Sequence, residues 1–278
     1  MPDFDTPEPI AVTIEFDIGS ARITAGKRGD TVVEVLPTDA ADDMDVWAAQ
    51  HTQVSYADGR LLVRGPKKRS LFGKVGSVDV TIELPAGSQV HGVSPMAAFS
   101  CAGPLTECRL KTRAGDIQVE QAGVVHLETA IGDVMVDRVA GDAEISGSGR
   151  VRVGEVAGSA TVKNSNGETV VGEVTGDLRA RSSNGAITVG RAHGSVQART
   201  ASGSIRVEEV ARGLVELETA AGNVEVGVRE TTAAWLDVRS RTGRVRNSLG
   251  ASEGPEDSDE TVEVRARTGV GDIVIRRS

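Results

Sequence analysis

From residue 115 onward the chain repeats one short pattern: a glycine, a polar residue, an apolar residue, a polar residue and an apolar residue. Gly115-Asp116-Ile117-Gln118-Val119 and Gly203-Ser204-Ile205-Arg206-Val207 are examples. Thirteen glycines, from Gly115 to Gly222, recur at intervals of eight to ten residues and carry this offset. Of the 26 positions two and four residues after them, 25 are Val, Ile, Leu or Ala, and the exception is Thr169. Alternation with a period of two predicts strands with one buried face. The glycines predict corners, where a backbone without Cβ turns cheaply.

The corners fall into two classes. One class has Thr, Ser or Asn three residues before the glycine, as at Thr200 and Thr219. The other follows text such as Val171-Gly172-Glu173-Val174-Thr175-Gly176. The repeating unit is therefore about 18 residues, with two strands and two unlike corners. One unit cannot hide its apolar face alone, but stacked units can, each advancing about 4.8 Å. The predicted fold class is all-β, a parallel β-helix or solenoid with an irregular β-rich N-terminal cap. No Phe, Trp or Tyr occurs between Phe99 and Trp235, as thin, matched rungs require. A six-residue left-handed helix also gives 18 residues per turn, but its apolar period is six and the one here is nine.

Residues 1–95 read as the cap region, continuous with a solenoid over 96–278. Ile10 to Phe16, Thr31 to Leu36 and Val78 to Leu84 predict strands, Ala57-Asp58-Gly59 a hairpin turn, and Asp39 to Gln50 a helix. The period breaks after Gly222. The last two copies, at Gly243 and Gly271, are 28 residues apart, and the extra length holds an acidic loop at 251–260.

Composition narrows the function. Lys and Arg number 31 and Asp and Glu 40, a net charge of −9, which argues against nucleic acid as a partner. No apolar run is long enough for a membrane span. The opening Met1-Pro2-Asp3-Phe4-Asp5 does not read as an export signal, so a cytoplasmic location is expected. Cys101 and Cys108 flank Gly103-Pro104 and read as small buried hydrophobes, with an occasional disulfide as the alternative.

Several stretches are similar to a large bacterial, notably actinobacterial, β-strand-repeat family that carries an adhesin label and has no assigned function. They are Phe4-Asp5-Thr6-Pro7-Glu8-Pro9-Ile10, Ile82-Glu83-Leu84-Pro85-Ala86-Gly87-Ser88, Lys163-Asn164-Ser165-Asn166-Gly167, Glu173-Val174-Thr175-Gly176-Asp177 and Val262-Glu263-Val264-Arg265-Ala266-Arg267-Thr268. The resemblance covers essentially the whole chain. It implies a right-handed parallel β-helix, no known cofactor and no established catalytic residues.

Candidate chemistry is sparse. A calcium β-roll needs Asp two residues after glycine, whereas Asp116, Asp133, Asp142, Asp177 and Asp272 follow directly. The four His, at 51, 91, 126 and 193, lack metal-ligand spacing. Carbohydrate-active β-helices pair outward acids with aromatic platforms, and the repeats offer no outward aromatic. Lys67-Lys68-Arg69 and Lys74, beside Leu71 and Phe72, read as a solvated connector or a partner contact. Asn166 and Asn184, each just before a glycine, predict a side-chain amide ladder. Five positions after glycines of one class stand Glu128, Ser146, Lys163, Arg181, Arg199 and Glu218. Stacking makes Lys163, Arg181 and Arg199 a column of like charge with Arg179 beside it, which is unfavourable in a sheet. Glu144, Glu216 and Glu218 are the available partners. Otherwise the column is a patch for an anionic partner.

These features favour a non-enzymatic β-helical scaffold or binding module for a protein or another macromolecule, without cofactor. A polysaccharide-acting β-helix enzyme is the alternative from another class. A polymerising cytoskeletal β-helix is a third option, against which stand the irregular N-terminal third and the Arg276-Arg277 end. Replacing Ile187 or Val207 by Asp is expected to unfold the protein, because each places an unpaired charge inside. A melting temperature within about 2 °C of the parent would overturn the inward assignment.

Overall fold

The computed structural model describes residues 2–66, 75–250 and 260–278. Residues 67–74 and 251–259 lie outside it, and with them the basic segment and nearly all of the acidic loop. The chain divides into two compact units, Met1–Arg138 and Val139–Ser278. Both are built mainly from β-strands in parallel pairs. All 26 inward positions of the repeat are buried. Thr169 is tolerated there because its hydroxyl accepts a hydrogen bond from Asn164 Nδ2 at 3.2 Å.

In the first unit the opening strands, β1 (Asp3–Asp5), β2 (Ala11–Glu15), β3 (Ile18–Gly26) and β4 (Asp30–Pro37), precede the helix α1 (Asp43–His51). Then come β5 (Gln53–Ala57), β6 (Arg60–Arg64), β7 (Ser77–Pro85), β8 (Gln89–Ala114), β9 (Ile117–Ile131) and β10 (Val134–Val139). β2 and β3 form a rung clasped in parallel between β6 and β7 on one side and β8 on the other. The edges beyond are closed by antiparallel strands: β4 on β7, β1 on β4, and β5 on β6. Reversed strands pair with the last rung without extending the parallel stack, which blunts an otherwise sticky edge. The β5–β6 turn is Asp58-Gly59, both at positive φ, as a two-residue hairpin demands. The helix begins four residues later than the sequence reading. Asp42 is its N-cap, accepting from Met44 N–H at 2.7 Å, and Asp39 closes a separate turn by accepting from Ala41 N–H.

The second unit holds two parallel sheets. The front sheet comprises β11 (Ala143–Gly147), β13 (Ala160–Asn164), β15 (Leu178–Asn184), β17 (Val196–Ser202), β19 (Gly213–Ala221), β21 (Thr232–Thr242) and β23 (Glu260–Val270). The back sheet comprises β12 (Val151–Val156), β14 (Thr169–Val174), β16 (Ile187–Ala192), β18 (Ile205–Val210), β20 (Val224–Val228), β22 (Val245–Asn247) and β24 (Ile273–Arg277). From β11 to β18 each strand pairs with the next but one in register, 17 or 18 residues on. The end departs from chain order. β19 pairs with β23 and β20 with β24, while β21 and β22 lie outside β23 and β24. The chain lays down the outermost rung first and then returns to fill the gap, so the 28-residue spacing supplies the return path. Arg276 and Arg277 therefore do not form the end of the stack. Arg276 Nε meets Glu225 at 3.0 Å, and Arg277 Nη1 donates to the carbonyls of Arg229 and Thr232.

The two corner classes use glycine for different reasons. In the first, Gly185, Gly203, Gly222 and Gly271 have φ between +136° and +153°. A Cβ at Gly203 would also lie 2.2 Å from the Gly185 carbonyl oxygen. The Thr three residues before such a glycine crosses the corner. Thr219 Oγ1 donates to Gly203 C=O and Thr268 Oγ1 to Gly222 C=O, both at 2.9 Å. In the second class Gly213 has φ +87°, but Gly158, Gly176 and Gly194 show no positive φ. At those three glycine is needed for close approach, since a Cβ on Gly176 would meet Gly158 C=O at 2.6 Å. Gly203→Ala is expected to lower the melting temperature by about 5 °C or more through strain and overlap. Gly250→Ala, with nothing within 4 Å of the new methyl group, serves as the silent control in the same thermal scan.

Candidate functional site

Outward side chains of the front sheet line up because register is kept from strand to strand. Ser146 lies opposite Lys163, Lys163 opposite Arg181, and Arg181 opposite Arg199. The column continues beyond the regular period: Arg199 faces Glu218, Glu218 faces Arg267, and Arg267 faces Arg239. Parallel neighbours stand about 4.8 Å apart, so the cations are closer than a Debye length. Arg179, two residues before Arg181, belongs to the adjacent column, between Thr161 and Gln197.

The acids compensate only part of the column. Arg199 meets Glu218 at 3.6 Å, and Asp237 lies 3.3 Å from Arg239 and 3.6 Å from Arg267. Glu216 is used elsewhere, by Gln197 at 3.0 Å and Arg265 at 3.7 Å. Among the described residues, Lys163, Arg179, Arg181 and Arg241 form no ion pair. The back sheet behaves differently. Glu173, Arg191 and Glu209 are successive neighbours there, and Glu173 binds Arg191 at 2.6 Å and His193 at 2.8 Å. The Arg191 guanidinium first, and the His193 imidazole second, hold the Glu173 carboxyl below its ordinary range.

The basic column borders an open groove of about 880 Å³. Five arginines, 181, 199, 239, 241 and 267, and one acid, Glu218, line it. Beside the arginines its lining is small, with Ala201, Ala220 and Gly269 nearer the surface and Thr200, Thr219 and Thr268 buried. No aromatic ring lines the groove. It can therefore hold an extended anionic chain by charge and hydrogen bonding, but lacks the paired acids that glycoside hydrolysis needs.

A family model described as Toastrack DUF4097 matches residues 22–276. The chain belongs to the Toastrack DUF4097 family. Among curated proteins none matches. Solved structures that resemble this Toastrack chain include a candidate cell adhesion protein from Clostridium sporogenes, 14% identical, covering 100% of this chain and 99% of the other, with a TM-score of 0.25. A candidate adhesin from Parabacteroides distasonis is 14% identical over 98% and 95% of the two chains, with a TM-score of 0.35. A candidate lipid-binding protein from the same species is 13% identical over 98% and 95%, with a TM-score of 0.40. Likeness at this level transfers no function.

Other candidate residues have structural partners in this Toastrack chain. The carboxylates that follow corner glycines cap the next rung: Asp142 Oδ1 accepts from Ser159 N–H at 2.8 Å, Asp177 Oδ1 from Ser195 N–H at 3.0 Å, and Asp272 Oδ1 from Arg244 N–H at 2.8 Å. Asn184 Nδ2 donates to Asn166 Oδ1 at 3.1 Å, the amide ladder read from sequence. Cys101 and Cys108 are free and buried with sulfurs 3.9 Å apart, and the neighbouring thiol together with burial pushes Cys108 upward. Among the described residues no group of three or more His, Cys, Asp or Glu converges as a metal site, and no helix is long and apolar enough to cross a membrane.

Sequence reasoning missed Arg239, Arg241 and Arg267. A usable signal was present, since every member of the column from Lys163 on directly precedes the Thr, Ser or Asn that lies three before a corner glycine. Arg239-Ser240 and Arg267-Thr268 carry the same mark. Arg181→Gln is expected to raise the melting temperature by roughly 1–3 °C, because it removes repulsion without breaking an ion pair. Arg199→Gln, which gives up Glu218, gains less, and the reverse order in a thermal scan would refute the strain.

Proposed function

We propose that this Toastrack chain is a non-catalytic binding module that seats an acidic segment of a protein partner along the basic column of its front sheet. One observation carries this reading: Lys163, Arg181 and Arg199 stand in consecutive register, and Arg181 and Arg199 line a groove with three further arginines. Opposite charges are interleaved at Glu173, Arg191 and Glu209 on the back sheet, so a run of cations is not a general habit of the fold. A protein of net charge −9 that concentrates positive charge in one groove presents a local field to its partner. An extended acidic segment meets a rigid row of donors, so little ordering of the protein is required on binding.

A polysaccharide-acting enzyme draws no support from this groove, whose lining offers a single carboxylate and no ring for a sugar to stack on.

The test is fluorescence anisotropy with a labelled oligoglutamate peptide. Binding is expected at low ionic strength and to fall steeply as salt screens the column. The double variant Arg181→Gln, Arg199→Gln is expected to bind at least about tenfold more weakly, while Arg191→Gln on the back sheet binds as the parent does. Equal affinity for the parent and the double variant would remove the column from the site.

A further inference from the structure

The outermost rung, β21 and β22, is left open. Among the described residues β21 pairs with β23 only, and β22 with β24 only. Val245 of β22 is 43% exposed, although Ile187, Ile205, Val224 and Ile273 in the same inward column are wholly buried. Trp235 of β21 is 62% exposed. In the first unit the corresponding problem is met by antiparallel strands laid on the last rung, and here no such strand is present among the described residues. An uncovered strand with exposed apolar rungs is a template for another strand.

The hydrogen-bond phase of β21 defines what can pair with it. Gly271 N–H donates to Thr242 C=O at 2.9 Å. In a parallel strand both polar groups of one residue point to the same side and alternate along the chain. Even-numbered residues of β21 therefore face β23, and the odd-numbered ones, 233 to 241, direct N–H and C=O to the open side. Leu236 and Val238 are in register with buried Val264 and Ala266, so the side chains of Trp235, Asp237, Arg239 and Arg241 stand together on the outer face.

We propose that β21 docks against β21 of a second copy of this chain, antiparallel, about a two-fold axis through Val238. Each residue then faces the one whose number completes 476. Asp237 faces the partner's Arg239, Trp235 faces the partner's Arg241, and Val238 meets its own equivalent. Every one of these odd pairs joins residues whose backbone groups already face outward, so the hydrogen-bond phase is satisfied with the charge order. Shifting the axis by one residue places Asp237 on Asp237 or Arg239 on Arg239, and shifting it to Ser240 places Arg239 on Arg241. The outer face of β21 is thus its own complement in one register, which singles out a second copy as the occupant. Charge pairs and an indole–guanidinium contact fix that register. The contact is isologous and uses each end once, so it closes as a dimer and does not propagate as a filament. It shares Arg239 and Arg241 with the rim of the basic groove, but the acidic-partner reading rests on Lys163, Arg181 and Arg199, so peptide binding and self-association can fail separately.

The test uses the full chain in sedimentation velocity and in oxidative cross-linking. The parent is expected to be dimeric at about 100 µM. Arg239→Glu gives up the in-chain contact with Asp237 but gains a cation opposite it, Arg267, and sets an acid against the partner's Asp237. It is expected to weaken the dimer at least about tenfold. Val238→Cys, on the axis, is expected to form an intermolecular disulfide with oxidised glutathione, as the short non-hydrogen-bonded pair allows, whereas Ala233→Cys does not. A monomer at that concentration, a dimer indifferent to Arg239→Glu, or equal cross-linking at both cysteines would overturn the proposal. So would a monomer with slowly exchanging β21 amides, which would mean that the chain covers its own edge.

Discussion

The approach of one rung's corner to the carbonyl beneath it governs the second unit. At Gly203 the oxygen of Gly185 lies where a side chain would otherwise begin, and at Gly222 the oxygen of Gly203 does the same. With that distance fixed, strands of successive rungs fall into hydrogen-bonding register and the aliphatic columns close. Corner Thr hydroxyls and the carboxylates after the glycines satisfy backbone groups that the turn takes out of the ladder. The interior contributes most of the burial, and the corners decide which burial is possible.

Register has a second effect on the surface. A parallel stack has no freedom to offset one strand against the next, so a residue type repeated every 18 positions becomes a column whether or not the charges agree. On the back sheet the sequence alternates sign at Glu173, Arg191 and Glu209 and gains ion pairs. On the front sheet it repeats Lys163, Arg181 and Arg199 and accepts repulsion, relieved only where Glu218 meets Arg199. The basic groove results from holding these cations in line beside small corner residues.

Much of this was legible in the chain itself. Period two inside period nine defined strands, inward faces and rungs, and placed Lys163, Arg181 and Arg199 together. The short turn Asp58-Gly59 declared its hairpin. What escaped was whatever depends on long-range order. Nothing local states that β23 pairs with β19 before β21 does, so Arg267 and Arg239 could not be counted into the column by spacing. The start of α1 was missed because Asp39 and Asp42 are equally good caps, and tertiary contact decides between them: Asp45 accepts from Ser77 N–H at 2.7 Å. Nothing local gave a role to the carboxylates after the corner glycines, because their partners are backbone groups a full turn away.

The inverted order of the last two rungs bears on how the molecule assembles during synthesis. When residues 232–247 leave the ribosome, the platform they lie on does not yet exist, since it is made from residues 260–278. The growing stack must keep the edge of β19 and β20 vacant until β23 and β24 slide in, whereas the rungs from β11 to β20 can be added as they emerge. Stalled chains lacking β23 and β24 lose two rungs instead of one, which makes these two strands a checkpoint for this unit.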